Sequence, residues 1–190
     1  FLKANRERPF FLYLPFYAVH TPIEGKPALI EKYTARRAAG GHRNPAYAAM
    51  VETMDTNVGR VLDALDELAL APNTIVVFMS DNGGVGGYQA AGVKARDITD
   101  NAPLRGGKGM LYEGGVRVPL MVRFPGRVAP GKESRLPVMC VDLFPTLLEL
   151  AGLAPSAGPE IDGTSFAGEL LGRPPAGERP PIYWHFPGYL

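Results

Sequence analysis

The sequence predicts an α/β fold: a mixed, largely parallel sheet flanked by helices, incomplete in this chain. Three observations carry the prediction. Residues 10–16 and 74–79 are short, apolar and non-alternating, as strands buried on both faces are. Between them, apolar residues recur at three- and four-residue steps from Tyr47 to Leu68, the stripe of an amphipathic helix. Strand, helix, strand is the unit from which parallel sheets with crossovers are built.

Taken in order, the run Phe-Phe-Leu-Tyr-Leu-Pro-Phe at 10–16 lies between Pro9 and the loop Ala18-Val19-His20-Thr21-Pro22. A short helical piece is expected over 27–33, then a polar, exposed connection over 36–43. Asn44-Pro45 is a helix start: an amide side chain that caps free backbone N–H groups, then a proline whose missing N–H costs nothing in the first turn. The helix behind it runs about six to seven turns. Met50 and Met54 act in it as core filler, and Pro72 closes it. Residues 83–103 form a long connection with little periodicity, and long loops in compact domains are where function concentrates. Residues 117–124 read as a third strand and 136–141 as a short fourth. A helix over 142–151 has Asp142 as its cap and Gly152 as its stop. A short helix is expected over 165–171, and a last strand over 182–186 after the proline cluster at 174–181.

Composition narrows the function classes. With 190 residues, 46% apolar and 21% charged, the chain has the size of about one domain. Twenty basic against nineteen acidic residues leave a formal charge of +1, so no overall field draws it to nucleic acid or to an anionic membrane. No apolar stretch nears the ~20 residues that span a bilayer. Cys140 is the single cysteine, which excludes a disulfide framework and cysteine-rich zinc sites. The 23 glycines and 19 prolines crowd into 83–115 and 152–181, so loops carry much of the chain's character. Phe1-Leu2-Lys3 has neither an initiator Met nor a basic-then-apolar leader, as though more chain preceded it.

Ligands of open α/β sheets collect beyond the carboxyl ends of the strands, and three polar constellations fall there. Ser80-Asp81-Asn82-Gly83-Gly84 follows the strand at 74–79. A carboxylate beside an amide carbonyl offers adjacent hard oxygen donors suited to Ca²⁺ or Mg²⁺, although Asp-Asn-Gly is also ordinary turn chemistry. His20 follows the first strand; it is placed to donate a proton or bind an oxyanion, or else simply to hydrogen-bond its loop. Leu104-Arg105-Gly106-Gly107-Lys108-Gly109 sets an ammonium among glycines, where a permissive backbone brings it close to an anion. This is not a phosphate-cradling P-loop, because Ala102 stands where the first glycine is needed and no Ser or Thr follows Lys108. Glu113 and Arg117 are spaced to form a buried ion pair that braces this loop.

In their joint order these signals are specific: a strand with His20-Thr21-Pro22, a long helix, a strand with Ser80-Asp81-Asn82-Gly83-Gly84, then Gly106-Gly107-Lys108-Gly109 and Glu113-Gly114-Gly115-Val116-Arg117-Val118-Pro119. Cys140-Val141-Asp142-Leu143-Phe144-Pro145-Thr146 and Asp162-Gly163-Thr164-Ser165 continue the pattern. From Pro9 through Tyr183 the chain resembles the C-terminal part of the catalytic domain of the type I, formylglycine-dependent sulfatases of the alkaline phosphatase superfamily. The resemblance implies an alkaline-phosphatase-like fold, with residues 1–150 belonging to the catalytic α/β domain and 151–190 starting a C-terminal subdomain.

It also implies roles. Asp81 and Asn82 look like two ligands of the family's divalent cation, calcium, with magnesium as the alternative. His20 and Lys108 look like the residues that contact the sulfate and stabilise the departing oxygen. The family's formylglycine arises from Cys or Ser in Cys/Ser-x-Pro-x-Arg. Cys140, Ser80, Ser134, Ser156 and Ser165 all lack proline at the second following position, so the nucleophile is expected upstream. The paired aspartates that complete the metal site, and the Lys and His pair that follows the nucleophile, have no counterpart before Phe10 either. The implied activity is hydrolysis of a sulfate ester, on a sulfated small molecule or glycan, with neither nucleic acid nor membrane as partner. These residues alone are expected neither to turn over sulfate esters nor to bind calcium tightly, and to expose apolar surface. Loops 86–103 and Tyr183-Trp184-His185-Phe186 are the expected specificity elements, with Trp184 read as a buried edge-strand aromatic rather than a sugar platform. Two rival readings are a phosphonate or phosphate monoester hydrolase of the same superfamily, and a non-catalytic domain that binds sulfated glycans. Family resemblance places the protein in the periplasm or outside the cell, and leaves its oligomeric state open.

Overall fold

Residues 1–94, 97–154, 160–174 and 177–187 are described in a computed structural model of the chain. They divide into two compact units, one built from Phe1–Ala71, Val77–Met121 and residues 185–187, the other from Pro72–Val76 and 122–184.

The first unit opens with a single helical turn, α1 (Leu2–Asn5). Residues 10–16, expected as a doubly buried strand, pair with nothing among the described residues, and Phe11 and Tyr13 stand 77% and 76% exposed. A strand of this kind requires a neighbour along its edge and a layer over each face. The described residues supply neither, so its apolar pattern is left uncovered.

The helical piece expected at 27–33 is α2 (Pro27–Thr34), with proline in its first turn. The long helix is α3 (Pro45–Glu67), and the Asn44 side chain caps it by accepting the Tyr47 N–H at 3.0 Å. Ala49, Met50 and Leu65 on its inner face are buried. α2 packs along α3, and Lys32 Nζ donates to both carboxylate oxygens of Glu52 at 2.7 Å. Those bonds, with help from the Tyr33 hydroxyl, hold the Glu52 carboxyl below the usual carboxylate range. Replacing Asn44 by alanine orphans an N-terminal N–H and is expected to cost about 1 kcal/mol, read as a lower urea midpoint. The helix ends before Pro72, contrary to expectation. Ala69 turns left-handed at φ 55°, and Pro72 sits beyond it in a 3-10 turn, Ala71–Asn73.

The strand expected at 74–79 is the shorter β1 (Val76–Met79). A one-turn helix, α4 (Glu113–Val116), precedes β2 (Leu120–Arg123), the core of the strand expected at 117–124. β1 and β2 pair as a two-stranded sheet. Glu113 and Arg117 do meet, at 3.5 Å, but their side chains are 65% and 68% exposed rather than buried. Gly114 and Gly115 take the inward face of α4, which turns the charged pair out to solvent, where such contacts contribute little.

In the second unit, residues 136–141 form no strand; they lead into a 3-10 turn, Cys140–Asp142, which runs on into α5 (Leu143–Leu150). α5 stops where predicted: Gly152 adopts φ 70°, and the N–H groups of Gly152 and Leu153 return to Glu149 and Leu148. The short helix expected at 165–171 is α6 (Ala167–Leu170). Asp142, expected to cap α5, does not bond to that helix's first turn. It is 1% exposed, and its carboxylate accepts the N–H of Met139 at 2.6 Å, the N–H of Thr164 at 2.8 Å and the Arg179 guanidinium. Beside it, Thr146 Oγ1 donates to the Asp142 carbonyl at 2.6 Å and accepts the Phe166 N–H at 3.0 Å. Residues 182–186 are not a strand, and Trp184 is 48% exposed rather than buried at an edge. No helix among the described residues is long and apolar enough to cross a membrane.

Candidate active site

The chain leaves β1 through Ser80, whose N–H still donates to the Pro119 carbonyl at 3.3 Å. Ser80 Oγ then turns the loop by donating to the Asn82 carbonyl at 2.8 Å. Asp81 is exposed and Asn82 half-buried at the tip. Gly83 fastens the far side, its N–H donating to the Gly115 carbonyl at 2.9 Å. The contact is so close that a Cβ on Gly83 would lie 1.7 Å from the Gly114 carbonyl oxygen. Glycine at 83 is therefore a packing requirement as well as turn chemistry.

The glycine-rich loop of Lys108 closes onto the same place. The Gly84 carbonyl accepts the N–H of Gly86 and the N–H of Lys108, each at 3.0 Å. The Tyr88 hydroxyl donates to the Lys108 carbonyl at 3.3 Å. Gly107 passes beneath, and a Cβ there would sit 2.1 Å from the Gly86 carbonyl oxygen. The loops of Asp81-Asn82 and Lys108, 26 positions apart by their numbers (108 against 82), thus share one backbone knot.

His20 is placed differently. Its Nδ1 lies 2.9 Å from the Thr21 carbonyl and its ring meets Tyr17 at 5.4 Å with the planes tilted 56°, while the Tyr17 hydroxyl also donates to the Thr21 carbonyl. These contacts are local to its own exposed loop. The structure accordingly brings together the loops of three expected site residues, Asp81, Asn82 and Lys108, and leaves His20 with its sequence neighbours. Trp184 and His185 are exposed.

Sequence reasoning missed Asn101. Its Oδ1 accepts the Gly84 N–H at 3.1 Å, and its Nδ2 donates to the carbonyls of Gly84, Gly86 and Gly106 at 3.0, 2.9 and 3.1 Å. The available signal was indirect: glycine loops without regular structure must satisfy buried backbone groups with side chains, and an amide can both donate and accept. Arg105 in the same loop lies over the Tyr112 ring at 3.9 Å.

Asp81 and Asn82 fit a hard divalent cation in kind, since both carry oxygen donors and stand side by side. In number they fall short. No group of three or more His, Cys, Asp or Glu that could hold a metal occurs among the described residues, whereas calcium takes about six to eight oxygen ligands.

Residues 1–153 match the family model described as Sulfatase. The chain is 39% identical to a sulfatase of Formosa agariphila, with 99% of this chain and 34% of that protein covered. It is also 39% identical to mouse steryl-sulfatase, over 100% of this chain and 29% of that protein. The chain thus spans about a third of the length of the curated relatives it matches. Among solved structures, Ps i-CgsB in complex with k-i-k-neocarrahexaose is similar with a TM-score of 0.75 and 35% identity, over 90% of this chain and 36% of that one. The phosphonate monoester hydrolase of Agrobacterium radiobacter is less similar, with a TM-score of 0.54 and 30% identity over 71% of this chain and 24% of that one. The small sheet and its helices are thus part of the alkaline-phosphatase-like α/β fold expected from the sequence. With the family match running from residue 1 through α5 and the relatives matching nearly the whole of this chain, the chain belongs to the sulfatase family.

Proposed function

We propose that these residues are the part of a sulfuric ester hydrolase that supplies two metal ligands and the contacts to the sulfate and its leaving group. The formylglycine nucleophile and the remaining metal ligands lie outside them. The observation that carries this reading is the shared Gly84 carbonyl, which ties the loop of Asp81 and Asn82 to the backbone of Lys108.

The chemistry asks for this pairing. Cleaving a sulfate ester releases an alkoxide or phenoxide while negative charge is held on the sulfuryl oxygens. A divalent cation, calcium or magnesium, supplies neutralisation of that charge when bound. Asp81 and Asn82 would give it two oxygen donors from a loop fixed by Ser80 and Gly83. Lys108 carries a fixed positive charge on a loop whose glycines admit close approach, and it binds and orients the sulfuryl group. His20, at the end of the residue 10–16 segment, contacts the sulfate and steadies the departing oxygen. A sulfated glycan is the substrate class we favour, because a similar structure holds k-i-k-neocarrahexaose. The second reading, a phosphonate monoester hydrolase, is favoured by the Agrobacterium likeness alone.

The full-length protein, assayed with para-nitrophenyl sulfate and with an aryl phosphonate ester, tests both. Faster turnover of the sulfate is expected, with a loss of about a hundredfold or more on chelation and recovery with added calcium. Preference for the phosphonate ester would establish the second reading, and turnover of neither would leave a binding module.

A further inference from the structure

We propose that Asn101 is a positioning residue of this site: it sets the spacing between the metal-ligand loop and the Lys108 loop by bonding the backbone of both. The inference rests on the sulfatase reading above. Every hydrogen bond of the Asn101 side chain goes to the backbone of a glycine beside one of the two loops. Gly84 follows Asn82 by two positions, and Gly106 precedes Lys108 by two. With Gly84, Asn101 makes a two-way contact, accepting its N–H and donating to its carbonyl. The amide's two N–H groups serve three carbonyls, so one of them is shared.

The residue type is dictated by this arrangement. A carboxylate of the same shape keeps the acceptor for Gly84 N–H but turns its second oxygen on three carbonyl oxygens. An alanine leaves the carbonyls of Gly86 and Gly106 to find water in a place where both glycines are buried, while the Gly84 carbonyl keeps the N–H groups of Gly86 and Lys108. The Asn101 amide also packs against Gly107, 3.0 Å from where a Cβ there would be, so the clamp and the glycine it admits fit as one unit. Groups that fix a ligand loop from behind change metal affinity and turnover without touching either.

The test uses the full-length protein with Asn101→Ala and Asn101→Asp, checked for folding by near-UV circular dichroism. Calcium affinity is read by titration calorimetry, and kcat for para-nitrophenyl sulfate at saturating calcium. Both variants are expected to weaken calcium binding about tenfold and to lower kcat about tenfold. In a Lys108→Ala background the same change should lower kcat less than about threefold, because the positioned group is already gone. An undiminished loss in that background would overturn the proposal, since Asn101 would then act independently of Lys108. So would unchanged calcium affinity and kcat in both single variants, or failure of both to fold. If Lys108→Ala and Asp81→Ala themselves leave turnover intact, the sulfatase reading fails first and takes this inference with it.

Discussion

If the full-length protein is the proposed sulfatase, Lys108→Ala is expected to lower its kcat for an aryl sulfate about a hundred- to a thousandfold, with the melting temperature nearly unchanged. The separation follows from how Lys108 is used. The fold uses its backbone: the N–H bonds to Gly84 and the carbonyl accepts from Tyr88. The proposed chemistry would use only its ammonium, which an alanine removes without disturbing either bond. The loss should grow as the leaving group becomes more basic, because developing charge on the departing oxygen then asks more of the site. A series of ring-substituted phenyl sulfates measures that slope. A loss under about threefold across the series would mean that Lys108 serves the loop alone.

The largest expected effect on stability lies at Asp142. Asp142→Ala should cost about 3–5 kcal/mol, the usual result of removing one partner from a buried ion pair. The Arg179 guanidinium would lose its counter-charge in a place where the Asp142 side chain is 2% exposed and its own 14%. The N–H groups of Met139 and Thr164 would lose their acceptor as well. Arg179→Met should cost less, because the carboxylate keeps those two N–H donors. Urea midpoints of both variants check the order, and equal losses would contradict it.

Features specified within a few residues of one another were legible in the sequence. The Asn44 cap, the proline after it and the Tyr47 to Leu68 stripe predicted α3, since a helix satisfies its own hydrogen bonds. The Gly152 stop was read for the same reason. What depended on distant partners was not legible. Residues 10–16 have the composition of a strand, but a strand exists only against a neighbour. Asp142 obeyed the local rule for a cap, yet Thr164 and Arg179, 22 and 37 positions away, claimed its carboxylate. In the candidate site, the crowding of glycine over 83–115 spans the loops of Asp81-Asn82 and Lys108, which adjoin through the Gly84 carbonyl. The residue that joins them, Asn101, carried no charge and no periodic signal, so nothing local set it apart.

The backbone knot at Gly84 has a consequence for how this protein could change over generations. Its bonds are made by main-chain groups, one amide and glycines whose neighbours leave no room for a Cβ at 83, 86 or 107. Variation there is closed, because most replacements collide with a carbonyl. The rim is open: Gln89, Val93, Lys94 and Asp97 are exposed and lie within the same long loop. Substitutions at those four positions leave the knot's bonds in place. On the proposed reading, what the site accepts can change without disturbing the backbone that holds Asp81, Asn82 and Lys108. An engineer seeking a new ester specificity should accordingly randomise positions 89, 93, 94 and 97, keep Gly92 with its φ of 82°, and leave 80–84 and 106–108 as they are.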